Sequence, residues 1–147
     1  MNKLIEKLKL VKDYRKNTGK RHELWLVLLL VILAMMAGYS AYRAIGDFVK
    51  NNEKFIKKAF KLGKKKLPSY STIRRIIIEL EWVNLLVIFN KWAIELKNDS
   101  SLQEWLAIDG KSLKSTVINY NNSEQNFIVF TSLFSQESAL VLQIKHE

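Results

Sequence analysis

The sequence has no cysteine, one proline, Pro68, and two histidines, His22 and His146, in 147 residues. Without cysteine there is no disulfide framework, no thiolate metal site and no cysteine nucleophile, and a reducing compartment is compatible with the composition. The histidines lie far apart, and neither has ligand-like spacing to other candidate groups. Ser112 and Ser115 follow Asp109 closely, but no histidine is placed in sequence to suggest a triad, so they read as loop serines and Tyr120 as a packing residue. No internal repeat is evident. The nearest thing to low complexity is the polar, Asn/Ser-rich stretch 112–125.

Acidic residues are scarce where basic ones are dense. Residues 1–97 hold 21 Lys and Arg against 8 Asp and Glu, a net of +13, whereas residues 98–147 hold 3 against 6, a net of −3. A basic field of that size attracts polyanions, nucleic acid or an anionic membrane surface, by counterion release and steering. A solvated, lysine-rich helical surface has the same composition, so charge alone leaves both readings open.

A long hydrophobic run is also lacking. Leu24 to Tyr42 carries no charge, but its unbroken apolar part, Leu24 to Ala37, is 14 residues, short of the ~20 needed to cross a bilayer. Gly38, Tyr39 and Ser40 interrupt it with a helix stop and a new start. Basic residues flank both sides, so no positive-inside asymmetry sets an orientation. The run predicts the central buried helix of a small bundle, with a span at 24–42 as the alternative. A signal peptide is disfavoured, because 23 residues precede the run and no small-residue cleavage pattern closes it.

The remaining pattern is helix followed by strand, an α+β chain. Leu4, Ile5, Leu8 and Val11 predict a short amphipathic helix, and Asp13 to Gly19 is a polar break. After the apolar helix, Ser40 is a candidate N-cap for a helix to about Lys50, and Asn52 for a helix ended by Gly63. Ser69 or Ser71 is placed to cap a helix through Leu80, and Trp82 to Lys97 predicts one more. Asn52 to Leu80 thus fits a helix-turn-helix, with Lys64, Lys65 and Lys66 before its second helix and Arg74 and Arg75 in that helix's first turns, where phosphates and base edges are met. Any pair of short helices in a bundle fits too. After the linker 98–104, strands are predicted at 105–108, 126–134 and 139–145, with a turn at 135–138.

Asp109 stands out within this second part. Trp105-Leu106-Ala107-Ile108-Asp109-Gly110-Lys111 reads as an apolar strand ending in a carboxylate at a glycine turn. Phosphoryl-transfer enzymes place a divalent-cation ligand in such a position, because the strand fixes the side chain while the loop admits substrate. Two-metal chemistry needs two or three convergent carboxylates, and nothing in the spacing sets Glu124 or Glu137 against Asp109. A surface-turn aspartate has the same local signature.

An ordered set of short motifs supplies a further signal. Asp13-Tyr14-Arg15, Gly19-Lys20-Arg21-His22, Ala37-Gly38, Pro68-Ser69 with Thr72 and Arg75, and Phe89 with Trp92 are followed by Ile108-Asp109-Gly110-Lys111-Ser112-Leu113-Lys114-Ser115, Ser132-Leu133-Phe134 and Leu140-Val141-Leu142. In this order they resemble the H-repeat-associated transposases, insertion-sequence enzymes of the DDE class. The resemblance implies a basic helical transposase-associated domain over 1–97, the linker 98–104, and the first three strands of an RNase H-like catalytic domain over 105–147. It also implies Asp109 as the first acid of an Asp-Asp-Glu set binding Mg²⁺. DNA would be the partner, together with the rest of the transposase or an intact copy, in the cytoplasm. Lys64, Lys65, Lys66, Arg74 and Arg75, with Lys111 beside the acid, are the expected DNA contacts. Lys114 stands where the family has Arg, and Leu133 where it has a small Ala. The family continues into strands bearing the second Asp and the Glu, so this chain is expected to be a truncated form, inactive alone.

Overall fold

The computed structural model describes residues 2–96, 105–112, 128–136 and 140–146. The linker 98–104, most of the loop 112–125, Lys114, Ser115, Tyr120, Glu124 and Glu137 lie outside them. The chain forms two compact units, residues 1–82 and 83–147. It is a helical N-terminal region followed by a three-stranded antiparallel sheet, the α+β arrangement expected.

The helical unit is built from α1 (Asn2–Lys9), a short 3-10 turn (Asn17–Gly19), α2 (Leu24–Met36), α3 (Tyr42–Asn51), α4 (Glu53–Ala59) and α5 (Tyr70–Ile78). The apolar helix α2 is its centre. Leu24, Leu26, Val27, Leu28, Leu29, Leu30 and Ala34 are buried, and α1 and α3 lie against it. Its 13 residues rise about 20 Å at 1.5 Å each, against ~30 Å of hydrocarbon. Among the described residues no helix is long and apolar enough to cross a membrane, so the span at 24–42 is not formed.

Gly38 stops α2 as expected, and the mechanism is visible. At φ +87 it lets the Tyr39 amide donate to the Ala34 carbonyl at 2.9 Å and its own amide donate to Met35 at 3.0 Å, the paired bonds of a Schellman cap. The turn delivers the Tyr39 ring to Phe48 of α3, with centroids 5.4 Å apart. At the end of α4 the same device uses Lys61 rather than the expected Gly63. Lys61 takes φ +51, and the Leu62 amide donates to Lys57 at 3.0 Å.

Two of the candidate caps are corrected. Ala41, not Ser40, precedes α3 without a side-chain bond. Asn52 does stand at the N-cap of α4, its carbonyl accepting from the Ile56 amide at 2.9 Å, but its side-chain amide turns back to donate to the Phe48 carbonyl at 2.8 Å and caps no amide of α4. Ser69 does cap α5, its Oγ accepting from the Thr72 amide. The helix-turn-helix pairing of α4 with α5 is not the packing observed. Ten residues separate the two helices, where the motif uses a three- or four-residue turn, and α5 packs on α3.

The sheet unit holds α6 (Trp82–Leu96), whose first residue belongs to the helical unit, and β1 (Leu106–Ser112), β2 (Val129–Ser135) and β3 (Leu140–His146), ordered β1-β2-β3. Asn90 of α6 closes the outer edge of β3, its side-chain amide donating to the Ile144 carbonyl and accepting from the Ile144 amide, both at 2.9 Å. An asparagine thereby substitutes for one residue of a neighbouring strand. β1 runs past its expected end. Gly110 does not begin a turn but pairs with Thr131, and the ladder continues through Lys111 and Ser112.

The approach of α5 to α3 generates a prediction. A Cβ on Gly46 would stand 2.5 Å from Tyr70 Cβ and 3.1 Å from its Cα, so there is no room for one. Gly46→Ala is expected to lower stability by about 1–3 kcal/mol through overpacking, measured by urea unfolding of the whole chain; wild-type stability would show that α5 does not sit this close.

Candidate functional site

The expected DNA contacts of the helical unit are on its surface. Lys64, Lys65 and Lys66 lie between α4 and α5 and, with Arg74 and Arg75 on α5, are exposed. The buried side of α5 is its isoleucine face, Ile73, Ile76 and Ile77, which forces the two arginines outward. They stand about 100° apart around the helix axis, so they do not address one ligand equally. Arg75 borders the groove facing Tyr14 to Gly19. Lys65 is 3.6 Å from Glu23, both largely exposed, an ion pair worth under about 1 kcal/mol and easily given up to a phosphate.

A second cluster comes from the polar break. Arg15 grips Asp13 with both ends of its guanidinium, Nε to Oδ1 and Nη2 to Oδ2, each at 2.8 Å. It also donates to the carbonyls of His22 at 2.8 Å and Gly19 at 3.3 Å. One planar side chain, only 7% exposed, therefore folds residues 13–22 into a fixed turn. Tyr14 fastens that turn to α5, its hydroxyl donating to the Ile76 carbonyl at 2.8 Å. The motif blocks 13–15 and 19–22 thus meet in space through Arg15, and Arg75 joins them. Lys16, which the sequence reading did not single out, stands exposed on the same groove. Its sequence signal was only a basic residue in a break, indistinguishable from the many lysines around it.

The Arg15 hydrogen bond holds the Asp13 carboxyl below the usual carboxylate range, against a burial that pushes it up. Burial, assisted by Arg21 and Arg15, lowers the His22 imidazole. His22 is half-buried just before α2 and its ring is neutral at pH 7. Burial also raises the Tyr14 phenol, followed by the field of Glu79. Tyr14 therefore stays a hydrogen-bond donor at neutral pH.

In the sheet unit Asp109 is exposed in the middle of β1, directly opposite Ser132. Strand alternation puts Asp109 and Lys111 on one face and Ile108 and Gly110 on the other. The two expected site residues of this unit are thus neighbours on one face. Among the described residues no three His, Asp or Glu side chains converge to hold a metal ion. Asp109 offers one carboxylate, and two-metal chemistry needs two or three that converge; the described residues bring no such set to it.

Comparison with known proteins sets these features in a family context. The family model described as DDE_Tnp_1-associated matches residues 5–93. Three Escherichia coli (strain K12) proteins align over 149 positions and 99% of this chain: "Putative protein YbfL" and "H repeat-associated putative transposase YhhI", each 30% identical, and "H repeat-associated putative transposase YbfD", 29% identical. The chain spans 38% of the length of the first two and 56% of the third. No solved structure matches it.

The acid limb of stability follows from the turn. A depressed Asp13 contributes stability that is present above its unfolded value, about 4, and is lost as the pH falls below it. The lowered His22 likewise favours the folded form at neutral pH, with loss beginning near about 6.5. Asp13→Asn is expected to cost about 2 kcal/mol at pH 7 and to flatten the limb below about pH 4. His22→Gln is expected to remove only the upper step. Urea midpoints between pH 3 and 8 check both, and parallel profiles for all three proteins would contradict the assignment.

Proposed function

The chain belongs to the DDE_Tnp_1-associated family, and on that premise we propose that its helical unit binds DNA and that Asp109 is one carboxylate of a DDE transposase centre. The observation that carries the reading is an overlap: the family match over residues 5–93 covers nearly all of the stretch 1–97 that holds the net +13. The names of the relatives, H repeat-associated transposases, support it.

DNA binding of this kind is driven by counterion release as lysines and arginines replace ions along the backbone. Lys64, Lys65, Lys66, Arg74 and Arg75 are exposed for that role. They position the helical unit on phosphates, while base readout is not assigned to any of them. Lys111 adds a cation beside Asp109. In the complete transposase the acid would bind Mg²⁺ with other carboxylates. A three-stranded antiparallel sheet carrying an acid on its first strand supports the start of an RNase H-like catalytic domain over 105–147. The work would take place on bacterial DNA in the cytoplasm.

The lack of a convergent acid cluster among the described residues favours a second reading, a non-catalytic DNA-binding module that occupies sites or partners an intact transposase without cutting. The relatives extend beyond the region this chain spans, and the remaining acids are assigned to that extension or to a partner copy. The domain division follows the same logic, a DNA-binding part over 1–97 and a catalytic part from 105.

Two measurements test this. The whole chain is expected to bind duplex DNA with an affinity that falls steeply with salt, and Lys64→Gln, Lys65→Gln and Lys66→Gln together should flatten the slope of log affinity against log salt by about 3. A folded sample that fails to bind at low salt ends the reading. With Mg²⁺ or Mn²⁺ the chain alone is expected to show no strand cleavage; cleavage abolished by Asp109→Ala would instead establish a complete site.

A further inference from the structure

We infer that the groove between the 13–19 turn and α5 seats a phosphodiester of the DNA backbone, with Lys16 and Arg75 as its two cationic walls. This rests on the DNA-binding reading and adds a site that charge density along the sequence did not locate. The groove encloses about 420 Å³ and is lined by Tyr14, Arg15, Lys16, Thr18, Gly19, Arg75, Ile76 and Glu79.

Three observations converge. The first is that the groove is built before any ligand arrives. Arg15 holds the turn closed on Asp13, Gly19 and His22, and Tyr14 ties the turn to the Ile76 carbonyl on the opposite wall. A site with fixed walls pays less ordering entropy on binding than two free surface lysines do.

The second is the division of charge. Arg15 is spent on Asp13, whereas Lys16 and Arg75 have no ion-pair partner among the described residues and are exposed. Glu79 is the one acid on the groove. Counting the Asp13–Arg15 pair as neutral, two cations face one carboxylate. The balance suits one negative charge, as on each phosphodiester, better than the two of a free phosphate.

The third is shape. Arg75 carries a forked donor suited to two phosphate oxygens, Lys16 a point charge, and Thr18 a hydroxyl at the rim. Lys16, Thr18 and Arg75 are all exposed, so a phosphate carried on a DNA strand can reach them from solvent. Arg74, on another face of α5, is not part of it.

The experiment is a salt series of fluorescence-anisotropy titrations of a labelled duplex with the whole chain, its Lys16→Gln, Arg75→Gln and Lys58→Gln variants, and an inorganic phosphate competition. Circular dichroism verifies that each variant is folded. Lys16→Gln and Arg75→Gln are each expected to weaken binding several-fold at low salt and to flatten the salt slope by about 1. Lys58→Gln, an exposed lysine of α4 away from the groove, is expected to keep the wild-type slope. Millimolar phosphate should compete no better than its ionic strength predicts. If Lys16→Gln keeps the wild-type slope while the protein still binds DNA, the groove is not the seat and the broader reading survives. An equal effect of Lys58→Gln reduces the effect to the general field and overturns the site. Tight phosphate competition replaces the phosphodiester with a small anion, and a folded wild-type chain that binds no DNA overturns both proposals.

Discussion

The helical unit depends on taking one helix out of water. Val27, Leu29, Leu30 and Ala34 have no measurable exposure, and each large buried aliphatic side chain contributes about 1.5–3 kcal/mol relative to exposure. No polar contact in the unit competes with that sum: a cap is worth about 1 kcal/mol and an exposed ion pair less. Burying α2 requires covers, which α1 and α3 provide, and it requires the chain to leave in the right direction, which the Schellman turn at Gly38 provides. From there the order of contacts is fixed. Tyr39 meets Phe48, Gly46 of α3 admits Tyr70 of α5, and Tyr14 bonds α5 near its end. The outward direction of Arg74 and Arg75 is a consequence of which side of α5 is apolar.

Net charge overstates the cations available to a ligand. Arg15, Lys57 and Lys65 already face Asp13, Glu53 and Glu23. The first is structural, because a guanidinium 7% exposed cannot leave its carboxylate without stranding a charge away from water. The Lys65–Glu23 pair is exposed, and a phosphate can displace it at little cost, while the Lys57–Glu53 pair within α4 is half-buried. The useful distinction among the lysines and arginines is therefore where each sits on the fold, and Lys16 gains its standing from the tied turn beside it.

Features set by local chemistry were legible in the sequence. The length of α2, its stop at Gly38, the Ser69 cap and the three strands after the linker all follow from runs, periods and turn residues within a few positions. What was missed depends on partners far along the chain. Tyr14 meets a carbonyl 62 positions away and Asn90 bonds one 54 away, and neither residue differs locally from its neighbours. Asn52 carries the chemistry of an N-cap, yet its side-chain amide donates backwards to the Phe48 carbonyl, which also accepts from the Asn52 backbone amide. Gly110 looked like a turn because glycine usually ends a strand, but its φ is not positive and a Cβ there would meet nothing within 4 Å. Residue type alone does not register the pairing with β2 that carries the strand onward.

The Asp109 strand raises the opposite problem, a residue whose meaning lies in what surrounds it. β1 is the outer strand of the sheet among the described residues, and Trp105 and Ile108 are 82% and 74% exposed. An apolar outer strand is a template for further pairing, so its present neighbours do not explain its composition. The pairing does determine which groups share a face. Because the ladder runs through Gly110, Asp109 and Lys111 are separated by two strand residues, about 7 Å, and point the same way. Had Gly110 begun a turn, their relative direction would be unconstrained. That spacing is between backbone positions, and both side chains stand exposed on the same face of the strand. In the proposed transposase centre a carboxylate for a metal ion and a cation for a phosphate oxygen would stand side by side on β1, held on one face by the ladder.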